Sequence, residues 1–173
     1  QSFTLWSIRF IIKFKNMEEL DILQLPDNGP VALIDADSLL YYEMGKPTLE
    51  EAIQGINSRL FHMLAMCGTS RYAGYLTLSK CFRYKVAETK SYKHNRKGGS
   101  KPIIFYALRE YLQQEWKMEA VRGLEADDLV AVYSKPSGTV ICSPDKDVLY
   151  QVAGKHFNFR TNEFIKTSKL EAN

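Results

Sequence analysis

Two short apolar runs that lead to acidic residues constrain the fold of this chain most strongly. The run 31–34 is followed directly by Asp35, and the run 138–142 is followed closely by Asp145. Short apolar runs bounded by Gly or Pro and separated by helical patterns are typical of buried parallel strands. We therefore predict an α/β fold whose strands present acidic side chains at their carboxyl ends.

The remaining periodicity completes an α/β pattern. Residues 71–78 and a segment around 118–121 are predicted strands, and a helix is predicted to open at Glu125 and continue to Tyr133. Residues 49–66 and 102–116 repeat apolar side chains at helical spacing, so each helix should cover a sheet face. In the second of these helices we expect four side chains to point largely inward: Ile103, Tyr106, Leu108 and Leu112.

Acidic residues recur in tight groups beside these predicted strands. Glu125, Asp127 and Asp128 form one group, and Asp145 and Asp147 form another. Carboxylates this close raise one another's pKa unless a cation is shared between them. Because ligands bind outside the carboxyl ends of strands in open parallel sheets, both groups and Asp35 should converge on one cleft. Each group taken alone is also consistent with simple helix capping or a turn.

A basic segment lies between residues 80 and 101. It carries one acid, Glu88, and interleaves Tyr84 and Tyr92 with its cations. Cations with aromatic neighbours suit a phosphate backbone and unstacked bases, although a solvated loop is the ordinary alternative. The predicted nucleic-acid-binding residues are Lys80, Arg83, Lys85, Lys90, Tyr92, Lys93, Arg96, Lys97 and Lys101.

Composition is that of one folded domain. The chain has 173 residues, 45 % of them hydrophobic, and a formal net charge of +3. We assign residues 17–173 to a single domain and treat 1–16 as an extra apolar and basic segment, which either precedes a natural start at Met17, packs as an extra strand or binds a partner. That segment is too short and too charged to span a membrane. The scattered Cys67, Cys81 and Cys142 indicate neither a disulfide framework nor a zinc site, which fits a cytoplasmic protein.

Four ordered motifs together resemble the phage and bacterial 5′-to-3′ exonucleases and flap endonucleases, most closely the short phage exonucleases. The motifs are Leu33-Ile-Asp35-Ala-Asp37, Tyr92-Lys-His-Asn-Arg96, Gly123-Leu-Glu125-Ala-Asp127-Asp128 and Ser143-Pro-Asp145-Lys-Asp147. The resemblance implies a three-layer α/β/α, PIN-like 5′ nuclease domain with a mostly parallel twisted sheet. The basic segment resembles the family's helical arch, through which a single-stranded 5′ end passes.

The same resemblance implies metal-dependent hydrolysis of DNA at 5′ ends or flaps during replication or repair. The implied metal ligands are Asp35, Glu125, Asp127, Asp128, Asp145 and Asp147. They would hold two Mg²⁺ ions, for which Mn²⁺ can substitute. The implied catalytic cations are Lys93, beside the scissile phosphate, and Arg96, which supports the arch or phosphate contacts.

The chain departs from the family pattern at two points. Leu78 stands where family members usually carry another Asp, and the sequence stops at Asn173, before the further carboxylates and the helix-turn-helix part of the family. Two alternatives therefore stay open. One is a catalytically weakened flap-DNA-binding module that needs a second chain, and the other is a PIN-type ribonuclease that cuts single-stranded RNA.

Overall fold

The computed structural model of the chain describes residues 6–7, 28–78, 101–135 and 137–168. Within these ranges the backbone forms a sheet of seven strands. The strands are β1 (Trp6–Ser7), β2 (Val31–Asp35), β3 (Arg71–Thr77), β4 (Glu119–Val121), β5 (Thr139–Cys142), β6 (Gly154–Asn158) and β7 (Glu163–Thr167).

Five helices connect the described strands. They are α1 (Ala36–Glu43), α2 (Leu49–Cys67), α3 (Ile103–Gln114), α4 (Ala126–Tyr133) and α5 (Lys146–Gln151). Local signals mark their ends. The Thr48 hydroxyl accepts the backbone N–H of Glu51 at the start of α2, and Gly68 ends that helix in the left-handed conformation, with φ of 65°. Such a φ favours glycine, since it has no Cβ.

The sheet is mixed but mostly parallel. β2 lies between β3 and β5, β6 pairs with β5, and these three contacts are parallel, as is β3 with β4. The antiparallel contacts are β1 with β3 and β6 with β7. Because β1 and β4 both pair with β3, the sheet is six strands wide, in the order β4/β1-β3-β2-β5-β6-β7. The chain thus moves from β2 to one side and later returns to the other, which makes the β2–β5 boundary a topological switch point.

Helices cover both faces of the sheet. Side chains alternate along β2: Ala32 and Ile34 pack with α1, α2 and α3, whereas Leu33 packs with α4 on the opposite face. This alternation follows from the two-residue repeat of a strand, and it explains why the run 31–34 is apolar throughout. The predicted α/β class is confirmed, and the layering is compatible with a three-layer α/β/α fold.

One sequence prediction about the packing of α3 is corrected by the structure. Leu108 and Leu112 of α3 are buried as predicted, but Ile103 and Tyr106 are exposed and Phe105 is buried with the two leucines. The prediction that Ile103 and Tyr106 point inward was therefore wrong. The buried face of α3 contains Phe105 and the residues three and seven positions after it. The fold also brings together two of the scattered cysteines: Cys67 and Cys142 are buried free thiols with their sulfur atoms 3.7 Å apart.

The N-terminal segment is described only at Trp6–Ser7, which pairs antiparallel with Tyr72 and Arg71 at the edge of β3. The rest of residues 1–16 lies outside the described part of the chain, so the alternatives for this segment stay predictions. The part of the chain that the structure describes contains no helix long and apolar enough to cross a membrane.

Candidate functional site

Asp35 is the most deeply buried acid at the carboxyl edge of the sheet. It is the last residue of β2 and caps α1, and its side chain is only 4 % exposed. Its carboxylate accepts hydrogen bonds from the Ser38 hydroxyl at 2.6 Å, the Ser38 backbone N–H at 3.3 Å and the Ser143 hydroxyl at 3.0 Å. All of these donors are neutral, so the ionised form receives hydrogen bonds but no ion pair from them.

The protonation of Asp35 reflects this environment. The pKa of the Asp35 carboxyl is raised from 3.8 to about 6 in total: burial and the nearby charge of Asp37 raise it, while the Ser38 and Ser143 hydrogen bonds lower it. Desolvation is the largest cause because it penalises the charged form. A bound cation at this edge would reverse the effect and favour the carboxylate.

Asp37 links β2 to the neighbouring strand. Both of its carboxylate oxygens lie near the backbone N–H of Thr77, the last residue of β3, at 3.2 and 3.3 Å. On the other side, the Arg109 guanidinium of α3 lies 3.7 Å from Asp37. The hydroxyl of Thr77 in turn accepts the backbone N–H of Ala126, the first residue of α4.

The three acids at the start of α4 form a compact group. One oxygen from each of Glu125, Asp127 and Asp128 lies within 4.8 Å of the others, which is close enough to share one metal ion. The backbone explains the proximity: Glu125 is the N-cap, and its side chain and that of Asp128 form a reciprocal capping box. Glu125 is buried, whereas the other two acids are partly exposed. The sequence prediction that these acids meet is supported by this geometry.

Asp145 and Asp147 lie at the start of α5, shortly after the end of β5. Asp145 caps α5 and accepts the backbone N–H of Asp147 at 2.8 Å, and its own N–H donates to the Ser143 hydroxyl at 3.1 Å. Ser143 therefore connects Asp145 to Asp35. Among the described residues, however, Asp35, Asp145 and Asp147 do not fall within the 4.8 Å metal-compatible group. The capping role that was the ordinary alternative for Asp145 is present in the structure.

The ends of three adjacent strands thus carry the linked side chains. Thr77, Asp35 and Ser143 end or follow β3, β2 and β5, and neighbouring strands lie about 5 Å apart. Hydrogen bonds connect Ser143 to the Asp145 pair and Thr77 to the start of α4. The structure therefore brings all the predicted acids to one edge, but gathers only three into a single metal-sized group.

Most of the predicted basic residues lie outside the described part of the chain: Lys80, Arg83, Lys85, Lys90, Tyr92, Lys93, Arg96 and Lys97. Lys101 is described. Its ammonium lies 3.8 Å from the ring centre of Phe105 and 4.8 Å from that of Tyr41, distances at which a cation is attracted to an aromatic face. A positive charge therefore stands at the start of α3, next to where the basic segment ends.

The donor set fits a hard divalent cation. All candidate ligands are carboxylate oxygens, which Mg²⁺ and Mn²⁺ prefer over the nitrogen and sulfur ligands of zinc. The serine donors around Asp35 are neutral, so a cation at this edge would stabilise its ionised form. The residues present can therefore hold a divalent ion.

Sequence reasoning missed the side chains that connect the acids. Asp37 stood inside a quoted motif, but its two-residue spacing from Asp35 did not show that it would reach β3. Ser143 and Thr77 each follow or end an apolar run. A polar residue in that position is the signal that could have identified them, because it faces the same edge as the acids.

No protein-family model matches the chain, and comparison with curated proteins found no significant match.

Proposed function

We propose that this chain is a metal-dependent phosphodiesterase that acts on DNA with single-stranded 5′ ends or flaps, as a 5′-to-3′ exonuclease or flap endonuclease. The single observation that carries the proposal is the group of Glu125, Asp127 and Asp128 within 4.8 Å, at the same sheet edge as the buried Asp35. The three acids belong to one helix turn and also cap it, so the proposal depends on their lying at the same sheet edge as Asp35, which belongs to a different element.

The proposed roles follow from the chemistry of these groups. Two Mg²⁺ ions would supply Lewis-acid stabilisation of the phosphate and lower the pKa of a bound water. The α4 group would hold one ion, with Asp35 facing it across the end of β2. Asp145 and Asp147 would serve the second position, since Ser143 ties their loop to Asp35.

Substrate binding is assigned to the basic residues. Bare carboxylates repel a phosphate backbone, so a hydrolase of this kind needs cations beside the acids. In the proposal, Lys93 stabilises the scissile phosphate, Arg96 supports the segment that binds the 5′ end, and the remaining Lys and Arg side chains of 80–101 attract the backbone. Lys101 extends this positive charge into the described structure.

A second candidate is a flap-DNA-binding module with weak or absent turnover. The observation that favours it is Leu78, which follows β3 at the carboxyl edge and is 48 % exposed. An aliphatic side chain cannot bind a metal at a position where an acid would complete a second site. This candidate predicts salt-sensitive binding of flapped DNA without metal-stimulated cleavage.

Cleavage of a 5′-labelled flap substrate at low salt, in Mg²⁺ and in Mn²⁺, tests the proposal. Asp127→Asn should lower the cleavage rate by at least about a hundredfold, because losing several kcal/mol of transition-state stabilisation corresponds to that factor. The Asp145→Asn/Asp147→Asn double variant should be impaired in the same way. Glu163→Gln, an exposed acid on β7, is the matched control and should keep full activity.

The outcomes separate the candidate functions. Cleavage by Asp127→Asn at the wild-type rate would contradict the proposed hydrolase. Binding without any metal-dependent cleavage by the wild type would favour the binding module. Faster cleavage of an RNA than of a DNA oligonucleotide of the same sequence would favour a PIN-type ribonuclease.

A further inference from the structure

A continuous set of contacts joins the end of β2 to the start of α4. The Asp37 carboxylate accepts the Thr77 backbone N–H at 3.2 and 3.3 Å, and the Thr77 hydroxyl accepts the Ala126 backbone N–H at 3.1 Å. Ala126 directly follows Glu125, the first member of the compact acidic group. Thr77 therefore contacts the Asp37 carboxylate through its backbone N–H and the Ala126 N–H through its hydroxyl.

Both contacts satisfy backbone groups that the secondary structure leaves without a partner. β2 pairs with β3 only as far as Asp35 and Tyr75, because the chain then turns into α1. The N–H of Thr77 lies beyond this ladder, and the Asp37 side chain replaces the missing strand. The N–H of Ala126 is one of the first amides of α4, which have no acceptor within the helix. Loss of either acceptor would leave a partly buried amide unsatisfied.

The charge of Asp37 is also balanced locally. The Arg109 guanidinium lies 3.7 Å away, and the two side chains are 16 % and 25 % exposed respectively, so the pair is largely shielded from solvent. Arg109 belongs to α3, the helix that follows the basic segment. Arg109 thus gives Asp37 a second contact besides the Thr77 N–H.

We infer that Thr77 and Asp37 are positioning residues that fix the acidic group of α4 relative to Asp35, and thereby set its affinity for a divalent metal. The inference rests on the proposed function, because it concerns the same metal site. Neither residue belongs to the metal-compatible group, so both act through the backbone of α4 and β3. Residues that orient metal ligands in this way change affinity by about 10- to 100-fold when they are altered.

The test is the affinity of the whole chain for Mn²⁺, measured by titration with detection of free Mn²⁺ by electron paramagnetic resonance. Thr77→Val removes the acceptor for Ala126 without changing charge or shape appreciably, and should weaken binding roughly tenfold. Thr77→Ser keeps the hydroxyl and should restore affinity. Thr139→Val is the matched control, since it removes a threonine hydroxyl bonded to Lys135 at the opposite end of β5.

A second pair of variants keeps the test decisive if Thr77→Val fails to fold. Asp37→Asn and Asp37→Ala remove the same charge, but only Asn retains an acceptor for the Thr77 N–H. If Asp37 is a positioning residue, the Ala variant should bind Mn²⁺ several-fold more weakly than the Asn variant, because it loses the acceptor that holds the Thr77 N–H. Equal affinities would overturn the inference and leave a purely electrostatic effect.

These results are distinguishable from failure of the proposed function. Wild-type affinity in Thr77→Val overturns the positioning role even if the wild type cleaves DNA. A wild type that binds Mn²⁺ but does not cleave DNA overturns the nuclease proposal alone, and the variant affinities still decide the inference. A wild type that binds no Mn²⁺ overturns both.

Discussion

At the residue scale, burial of Asp35 disfavours the ionised form of its carboxyl group. Its side chain has lost nearly all contact with water, and the donors that replace water are two serine residues. Because the folded pKa of about 6 lies above the unfolded value of 3.8, the folded chain binds the proton more tightly. Stability from this group is therefore fully present below pH 3.8 and is lost as pH rises to 6.

We predict that Asp35→Asn is more stable than the wild type at pH 7.5 in EDTA. The ionised carboxyl costs on the order of 3 kcal/mol there, since each pKa unit corresponds to about 1.4 kcal/mol. Asn keeps a carbonyl acceptor and can donate to a serine hydroxyl, so a gain of about 1–3 kcal/mol is expected in urea unfolding. At pH 4 the two proteins should differ much less, and a variant destabilised at pH 7.5 would contradict this account of Asp35.

At the element scale, the contact between α1 and α2 depends on a glycine. The carboxylate of Glu43, at the end of α1, is buried and paired with Arg59 of α2 at 2.5 Å, while Lys46 lies 4.0 Å away. A Cβ at Gly55 would overlap this carboxylate. Arg59 also lies over the ring of Tyr42, at 4.9 Å from its centre. Gly55 therefore provides the space in which the end of α1 docks.

We predict that Gly55→Ala destabilises the fold by about 1–3 kcal/mol, the usual cost of overpacking. Helix propensity alone would predict the opposite, a gain of roughly 1 kcal/mol for Ala over Gly. Ser58→Ala, at an exposed position of the same helix, is the control and should be nearly neutral. Thermal unfolding of the three proteins decides between the two effects, and a higher melting temperature for Gly55→Ala would disprove the docking role.

Local patterns predicted elements well and their contacts less well. Runs such as 31–34 identify strands because both faces are buried, and the apolar repeat of 49–66 matches α2. The phase of α3 was missed at Ile103 because an apolar residue in the first turn of a helix need not face the core. The Asp37–Thr77 contact was also missed, since it joins residues 40 positions apart and depends on the strand order.

At the scale of the whole molecule, two buried titratable groups on different strands, Asp35 and His156, change the stability in opposite directions as pH falls. His156 of β6 has no exposed surface; its Nε2 lies 2.7 Å from the Val152 carbonyl oxygen, which can only accept, and within the described part of the chain its Nδ1 has no hydrogen-bond partner. Burial lowers the pKa of His156 below 6.5. Stability from this histidine is present above pH 6.5 and is lost as pH falls through the lowered pKa, the reverse of Asp35.

We predict that replacing either Asp35 or His156 reveals how the other residue changes stability with pH. Asp35→Asn should lose stability on acidification from pH 7 to 5, because only the histidine then titrates unfavourably. His156→Gln, whose amide can still donate to Val152, should gain stability over the same interval. Urea midpoints at the two pH values measure both slopes, and identical slopes in the two variants would contradict the assignment.

The acids of the candidate site also start helices: Asp35 caps α1, Glu125 and Asp128 form the box that begins α4, and Asp145 caps α5. Alanine at any of these positions would remove a candidate ligand and also loosen the start of a helix, so a loss of activity would have two explanations. Asparagine caps helices about as well as aspartate and removes only the charge. The choice of replacement thus decides whether a mutational scan of this edge reports on chemistry or on folding.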